Sequence, residues 1–388
     1  MDIHKVIILG IVVLFVGVNI SISTGDVSIS SSSITLFVGG GGFGNYTFIQ
    51  DAIDDASDGD TVFVYDDSSP YYENLIINKT INLVGEDKNT TIIDGGSNGD
   101  VIHILSEWVN ITQFTIITCE ETTIDFASIV VYSKYNHISN NIFTHKSSLN
   151  YTNENAIHIT HGNDNNIISD NIISGSSYSL YIESSNNQIV NNQISEFGCY
   201  AIWVITHSEN YESYEKMCHN NTISNNIIYE SKNGRYYKTG CGIWLRRSRN
   251  NIIYNNTITG KAKGMILELS SNENLISGNN VSNNLRYGIG IGDSSCNNIS
   301  RNNLLNNDRG IWLFYRPNLD NIIYHNNFIN NNDSAKAQDC YNIKWIGNYW
   351  SDWIGLRFNL LKFLPYRIPG TLLRNLDWNP AMEPYDLE

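Results

Sequence analysis

The run Asn251-Ile252-Ile253-Tyr254-Asn255-Asn256-Thr257-Ile258, followed by Gly264-Met265-Ile266-Leu267 and then Asn279-Asn280-Val281, decides the fold. Short apolar stretches alternate with Asn or Gly, and the unit repeats. Asn-Asn or a close variant precedes an apolar residue at Asn140-Asn141, Asp170-Asn171, Asn191-Asn192, Asn225-Asn226, Asn255-Asn256, Asn279-Asn280, Asn302-Asn303 and Asn326-Asn327. The second members step by 30, 21, 34, 30, 24, 23 and 24 residues. A Gly-Ile-x-Leu-like element runs in phase at Ala201, Gly242, Gly264, Gly288 and Gly310, and an Asn-Ile element recurs at Asn166, Asn187, Asn221, Asn251, Asn298 and Asn321.

Three short strands per 21–24 residues make one coil of a parallel β-helix, so the fold expected is an all-β solenoid. Alternation puts Ile, Leu and Val inward. Asn tolerates the left-handed conformation at corners, and stacked amides can hydrogen-bond from coil to coil. A sandwich would need no such period.

Composition agrees. Of 388 residues, 56 are Asn and 55 are Ile, while charged residues make up only 16%. A chain this rich in Ile and Tyr buries apolar area, which excludes disorder, and no Gly period points to collagen. The net charge of −15 argues against nucleic acid and anionic membranes, and disfavours a polyanionic substrate unless cations mediate.

Residues 1–23, with Lys5, the apolar Val6–Val18 and Ser21-Ile22-Ser23, read as a signal peptide. The chain is then expected in a secreted, cell-surface or periplasm-like location, with no membrane span in the mature protein. Residues 24–60 form an N-terminal segment whose Phe48–Ala56 stretch has helical spacing, an N-terminal capping helix; 61–344 form the solenoid; 345–388, holding Trp345, Trp350, Trp353 and Trp378, form a C-terminal cap. Six cysteines lack any CxxC, and Cys199, Cys218 and Cys241 are open to pairing or to burial as thiols. Ten Asn-x-Ser/Thr sequons follow residue 23, with those in Asn corners, such as Asn255, expected to be inaccessible.

These repeats resemble the right-handed parallel β-helix repeats of the NosD-like family, within the wider pectin-lyase-like superfamily. Phe48-Ile49-Gln50-Asp51-Ala52-Ile53, Asp58-Gly59-Asp60-Thr61-Val62 and Thr91-Ile92-Ile93-Asp94-Gly95 are similar to the start of many members. Gly347-Asn348-Tyr349-Trp350-Ser351-Asp352-Trp353 looks like the end of archaeal surface proteins of this group. The family name implies periplasmic copper handling. Met217-Cys218-His219 is the one soft cluster, against 4 Met in the whole chain. The superfamily also implies polysaccharide chemistry. Tyr287-Gly288-Ile289-Gly290-Ile291-Gly292 is similar to a polygalacturonase loop with Tyr where that family has His, and the accompanying acidic segments are missing. No catalytic residue, metal or cofactor is assigned.

The stacking itself supplies a candidate site. The third residue of the Gly-Ile-x-Leu strand points outward, giving His158, Tyr181, Trp203, Trp244, Ile266, Gly290 and Trp312 in successive coils, with Glu183, Arg246 and Glu268 two residues on. Stacked aromatics offer flat apolar faces suited to sugar rings. Two insertions, His207–His219 and Glu230–Cys241, carry Tyr211, Tyr214, Arg235, Tyr236, Tyr237 and Lys238, together with the acids Glu209, Glu212, Glu215 and Glu230. The expectation is a largely non-catalytic protein binding polysaccharide or another cell-envelope glycan between these loops and the column. The alternatives are a polysaccharide-modifying enzyme using Glu183, Glu268, Arg246 and His158, and a copper-handling protein.

Overall fold

The structure, a computed structural model, describes residues 33–96, 99–120, 126–147, 154–207, 217–230, 240–315, 318–357, 361, 363–370 and 375–387. The expected signal segment lies outside them. The chain winds into a parallel β-solenoid of about twelve turns. Its three faces are sheets of fifteen, eleven and eleven strands. The first runs from Thr35–Val38 to the closing pair Leu376–Asp377 and Tyr366–Arg367, which is antiparallel. The third, which carries the candidate site, runs from Leu75–Ile77 to Asp333–Ala337.

Alternation explains the core. On the first face Ile223, Ile253, Ile276, Ile299 and Ile323 stack in register and none is solvent-exposed. Each such burial contributes roughly 1.5–3 kcal/mol. β-branched side chains on a pleated surface stack without loss of rotamer freedom.

The Asn pairs divide their labour. In Asn225-Asn226 the first residue is left-handed, with φ 56°, and exposed, while the second is fully buried. Asn226 Oδ1 accepts from the Asn192 backbone N–H at 2.9 Å and from Asn192 Nδ2 at 3.1 Å. Asn226 Nδ2 donates to Asn256 Oδ1 at 2.9 Å and to the Ile189 carbonyl. The same pattern continues through Asn141, Asn171, Asn192, Asn226, Asn256, Asn279, Asn302, Asn326 and Asn348. A second ladder climbs the adjoining corner from Asn136 to Asn321, and a third joins Lys261, Asn284, Asn307 and Asn331.

The phase slips by one against the sequence reading. Asn279, Asn302 and Asn326, not the residues after them, stand in line with Asn256, and Gly278, Arg301 and His325 take the left-handed corner. Asn255 is accordingly an exposed corner residue, so the expectation that its sequon is inaccessible is corrected.

Both ends are closed. The helix Ile49–Asp55 buries Ile49, Ala52 and Ile53 over the first coil. Its first two N–H groups donate to the Glu73 carboxylate at 2.8 and 3.0 Å. At the other end the buried Asp377 receives the last ladder amide: Asn348 N at 2.8 Å, Asn348 Nδ2 and Trp350 Nε1 at 3.1 Å, and Gly347 N at 3.0 Å. Trp345, Trp350 and Trp353 are buried beneath it, whereas Trp378 is exposed. Cys199, Cys218, Cys241, Cys296 and Cys340 are free thiols. No helix among the described residues is long and apolar enough to cross a membrane.

Candidate functional site

Register on the third face sets the outward columns. Strands Asn155–Ile159, Tyr178–Ile182, Tyr200–Ile205, Cys241–Arg246, Lys263–Glu268, Tyr287–Gly292 and Arg309–Phe314 pair in parallel. His158, Tyr181, Trp203, Trp244, Ile266, Gly290 and Trp312 therefore align, as the spacing predicts. The first four make one stack: His158–Tyr181 centroids are 4.6 Å apart, Tyr181–Trp203 4.9 Å and Trp203–Trp244 5.4 Å, with the two indoles 10° from parallel.

The stack then breaks. Ile266 is buried, Gly290 has no side chain, and Tyr287 leans over Gly290 so that a Cβ there would lie 2.5 Å from its ring. Trp312 belongs to a separate group with Tyr287 and Phe314. Cys241, Ile266, Tyr287 and Phe314 form a small apolar cluster outside the solenoid, with Tyr200, Trp244 and Trp312 packed against it. The column is thus half-buried rather than freely exposed. The reading from sequence missed Tyr178 and Tyr200, which form a second aromatic column contacting Trp203 and Trp244. Their signal was present in the strand starts, three residues before the Tyr181 and Trp203 positions.

The polar column is less continuous than expected. Arg246 pairs in register with Glu268, but Ile205, buried, stands between Arg246 and the Glu183 level. Burial pushes the Glu268 carboxyl above its usual range, against the pull of Lys263 and Arg246. The Arg246 guanidinium lies 5.7 Å from the Trp244 ring centre. The indole N–H of Trp203 and of Trp312 are buried without a hydrogen-bond partner among the described residues.

At the N-terminal end of the stack, Glu183 is the hub. His158 Nε2 lies 2.7 Å from Glu183 Oε2, and His207 Nε2 lies 2.9 Å from Glu183 Oε1. The Tyr181 hydroxyl lies 2.5 Å from the same His207 nitrogen. Burial, and then the Glu183 charge, raise the Tyr181 phenol above its ordinary value. His207 was expected only as the start of an insertion; folding brings it to Glu183.

Residues 208–216 and 231–239, with Glu209, Tyr211, Glu212, Tyr214, Glu215, Arg235, Tyr236, Tyr237 and Lys238, lie outside the described residues. Glu230 is corrected. It is buried, its carboxylate 2.5 Å from the equally buried Lys261 Nζ, which sits 3.5 Å from the Phe197 ring centre. A buried charge pair of this kind serves the fold rather than an open groove.

The soft cluster does not gather as a copper site. Met217 and Cys218 are buried, the Cys218 thiol donates to the Ile205 carbonyl at 3.1 Å, and burial pushes that thiol up to about 12. Among the described residues no three His, Cys, Asp or Glu side chains are placed to hold a metal ion.

Residues 214–355 match the family model for the periplasmic copper-binding protein NosD. Among solved structures the chain is similar to the Dettilon tailspike protein, at 13% identity and TM-score 0.55, over 78% of this chain and 62% of that one. It is also similar to the GH136 lacto-N-biosidase from Eubacterium ramulus, at 11% identity and TM-score 0.51, over 82% and 67%. The periplasmic alginate epimerase AlgG matches at 16% identity and TM-score 0.47, over 71% of this chain. The chain spans 62% of the length of that epimerase. No curated protein sequence matches the chain. At these identities the likeness is one of fold.

Proposed function

We propose that this chain, a NosD-like right-handed parallel β-helix protein, binds glycan chains lengthwise along its third face in an extracytoplasmic compartment. The observation that carries the reading is the unbroken stack His158–Tyr181–Trp203–Trp244. Strand spacing sets its rungs about 4.7–4.9 Å apart. The half-buried aromatic side chains offer a continuous apolar surface to the C–H groups of sugar rings. Arg246 and Glu268 flank the stack with hydrogen-bonding groups for ring hydroxyls.

Two-carboxylate glycoside hydrolysis fits poorly. Glu183 and Glu268 stand three strands apart, roughly 14 Å at the spacing of a sheet, where hydrolysis needs about 5–9.5 Å. Copper handling fits poorly too, because the Cys218 thiol is turned into the protein.

The test is affinity electrophoresis against neutral and acidic polysaccharides, comparing the parent with a Trp203→Ala, Trp244→Ala double variant of unchanged circular dichroism. Loss of two stacking rings is expected to weaken binding at least about tenfold. Equal retardation of parent and variant by every polysaccharide would sink the proposal.

A further inference from the structure

We infer that the capped amino-terminal end of the solenoid carries a second binding site, independent of the third face: a pocket walled by Tyr46, Phe48 and Tyr72 beside Glu73 that takes a quaternary ammonium ion.

The first turns of the chain explain why a site forms there. Residues 33–78 contain eight acidic side chains and no Lys, Arg or His. From the edge strand Thr35–Val38 the chain passes through a glycine-rich loop into the helix Ile49–Asp55, and it later returns past the helix start at Tyr71 to Glu73. Tyr71 is buried and bridges to Ile93, while Tyr72, the next residue, faces solvent. Only glycine lets the loop close down on this segment. A Cβ on Gly39 would lie 2.3 Å from the Tyr71 hydroxyl oxygen, and one on Gly40 would lie 2.8 Å from the Tyr65 ring. Between loop, helix start and returning segment a pocket of about 360 Å³ is left, within the size range of small-molecule sites.

The walls are aromatic and the rings are available. Phe48 is 55% exposed and Tyr72 74%. Nearby rings are paired, Phe37 and Phe63 with Tyr65, whereas Tyr46, Phe48 and Tyr72 have no ring partner among the described residues. The Tyr46 hydroxyl donates to Asp55 Oδ2 at 3.0 Å, which pins that ring beside the helix. The surrounding field is negative. Burial raises the Tyr71 phenol to about 12, and the charges of Asp67, Glu73 and Asp66 push it the same way. Lys79, the next cation along the chain, is held at the opposite end of the helix by the Asp54 and Ala56 carbonyls.

The acids also select the kind of cation. Glu73 accepts the Ile49 and Gln50 N–H groups at 2.8 and 3.0 Å, one on each oxygen, and Asp67 Oδ1 accepts the Gly40 N–H at 2.8 Å. Carboxylates so engaged supply charge, but not the set of free oxygens that a metal ion or a primary ammonium demands. A quaternary ammonium ion donates no hydrogen bond and is held by ring faces and diffuse negative charge.

The test is isothermal titration calorimetry of the full chain with choline, against ethanolamine and sodium ions at matched ionic strength, together with flotation on phosphatidylcholine vesicles. Choline is expected to bind saturably below about 10 mM, and ethanolamine at least about tenfold more weakly. Tyr72→Ala and Phe48→Ala, both at exposed positions, are each expected to weaken choline at least about fivefold, while Tyr72→Phe binds as the parent does. Choline binding without flotation identifies a free small molecule as the ligand. Flotation that choline competes away identifies a lipid headgroup, and either result supports the site. Absence of saturable choline binding in the parent overturns it. So does equal binding of ethanolamine or sodium, the behaviour of a plain acidic patch, and so does choline binding unchanged in both alanine variants of unaltered circular dichroism.

Discussion

Adjacent residues of one type do unlike jobs here. Asn225 sits in the left-handed corner in contact with solvent, a conformation that glycine adopts freely, so Asn225→Gly is expected to change stability by less than about 1 kcal/mol. Asn226→Ala removes a buried amide from four partners and strands donors and acceptors on both neighbouring coils. Its cost is expected at about 3 kcal/mol or more, read as a shift in urea midpoint. A second residue-scale prediction concerns acid. Asp60 accepts from the backbone N–H of Ile34 and of Ser57, and these two donors hold its carboxyl below the usual carboxylate value of 3.8. A depressed folded pKa means that the unfolded chain binds the proton more readily. The contribution is present above about pH 4 and is lost as pH falls through the folded value. Amide exchange in Thr35–Val38 should accelerate over that window before the middle coils respond, and Asp60→Asn should remove the pH dependence. Thiols offer a third check: Cys218, Cys241 and Cys340 are buried and pushed up to about 12, so alkylation of the native protein at pH 8 should spare them and mark the exposed Cys199 and Cys296.

At the scale of the element, the C-terminal cap hangs on one carboxylate. Asp377 gathers Gly347, both nitrogen donors of Asn348 and the Trp350 indole. Asp377→Ala is expected to free the tail to proteolysis and to red-shift tryptophan fluorescence as Trp350 becomes wetted. If the tail stays protected, its other bonds to the last coils, Ala381 N–H to the Asn348 carbonyl and Tyr385 N–H to Asn327 Oδ1 among them, are enough to hold it. What the sequence makes legible is also a matter of elements. Strands announced themselves because inward Ile and corner Asn are local and repeat. The aromatic column followed from the same period, since counting along any one strand fixes which face a side chain takes. Two things stayed hidden for physical reasons. The fate of Asn279 against Asn280 depends on whether the left-handed corner is taken by Gly278 or by Asn279, a one-residue choice that composition does not encode. The meeting of His207 with Glu183 depends on where the chain leaves a strand that ends one coil away, and no spacing rule reaches that far.

The whole molecule is a one-dimensional stack in which each coil meets only its neighbours. Removing one complete coil, Leu275–Asn297, would join Asn274 to Asn298 and span one 23-residue step of the ladder. This deletion is expected to yield a folded, cooperatively melting protein with Asn256 bonded directly to Asn302. A deletion of half that length would turn inward residues outward and is expected to aggregate. Circular dichroism and light scattering distinguish the two. The amide ladders give this stack a sense of direction. From Asn141 through to Asn348 each side-chain Oδ1 accepts from the preceding coil, and each Nδ2 gives one of its two hydrogens to the next, the other returning to a backbone carbonyl of the coil before. A coil that has just wound leaves its corner donors waiting for an acceptor that only the following coil can bring. The amino-terminal end, meanwhile, is stoppered by the helix Ile49–Asp55. The stack therefore has unlike ends, as a polar filament does: its last donors are taken by Asp377, and its first coil lies under the helix.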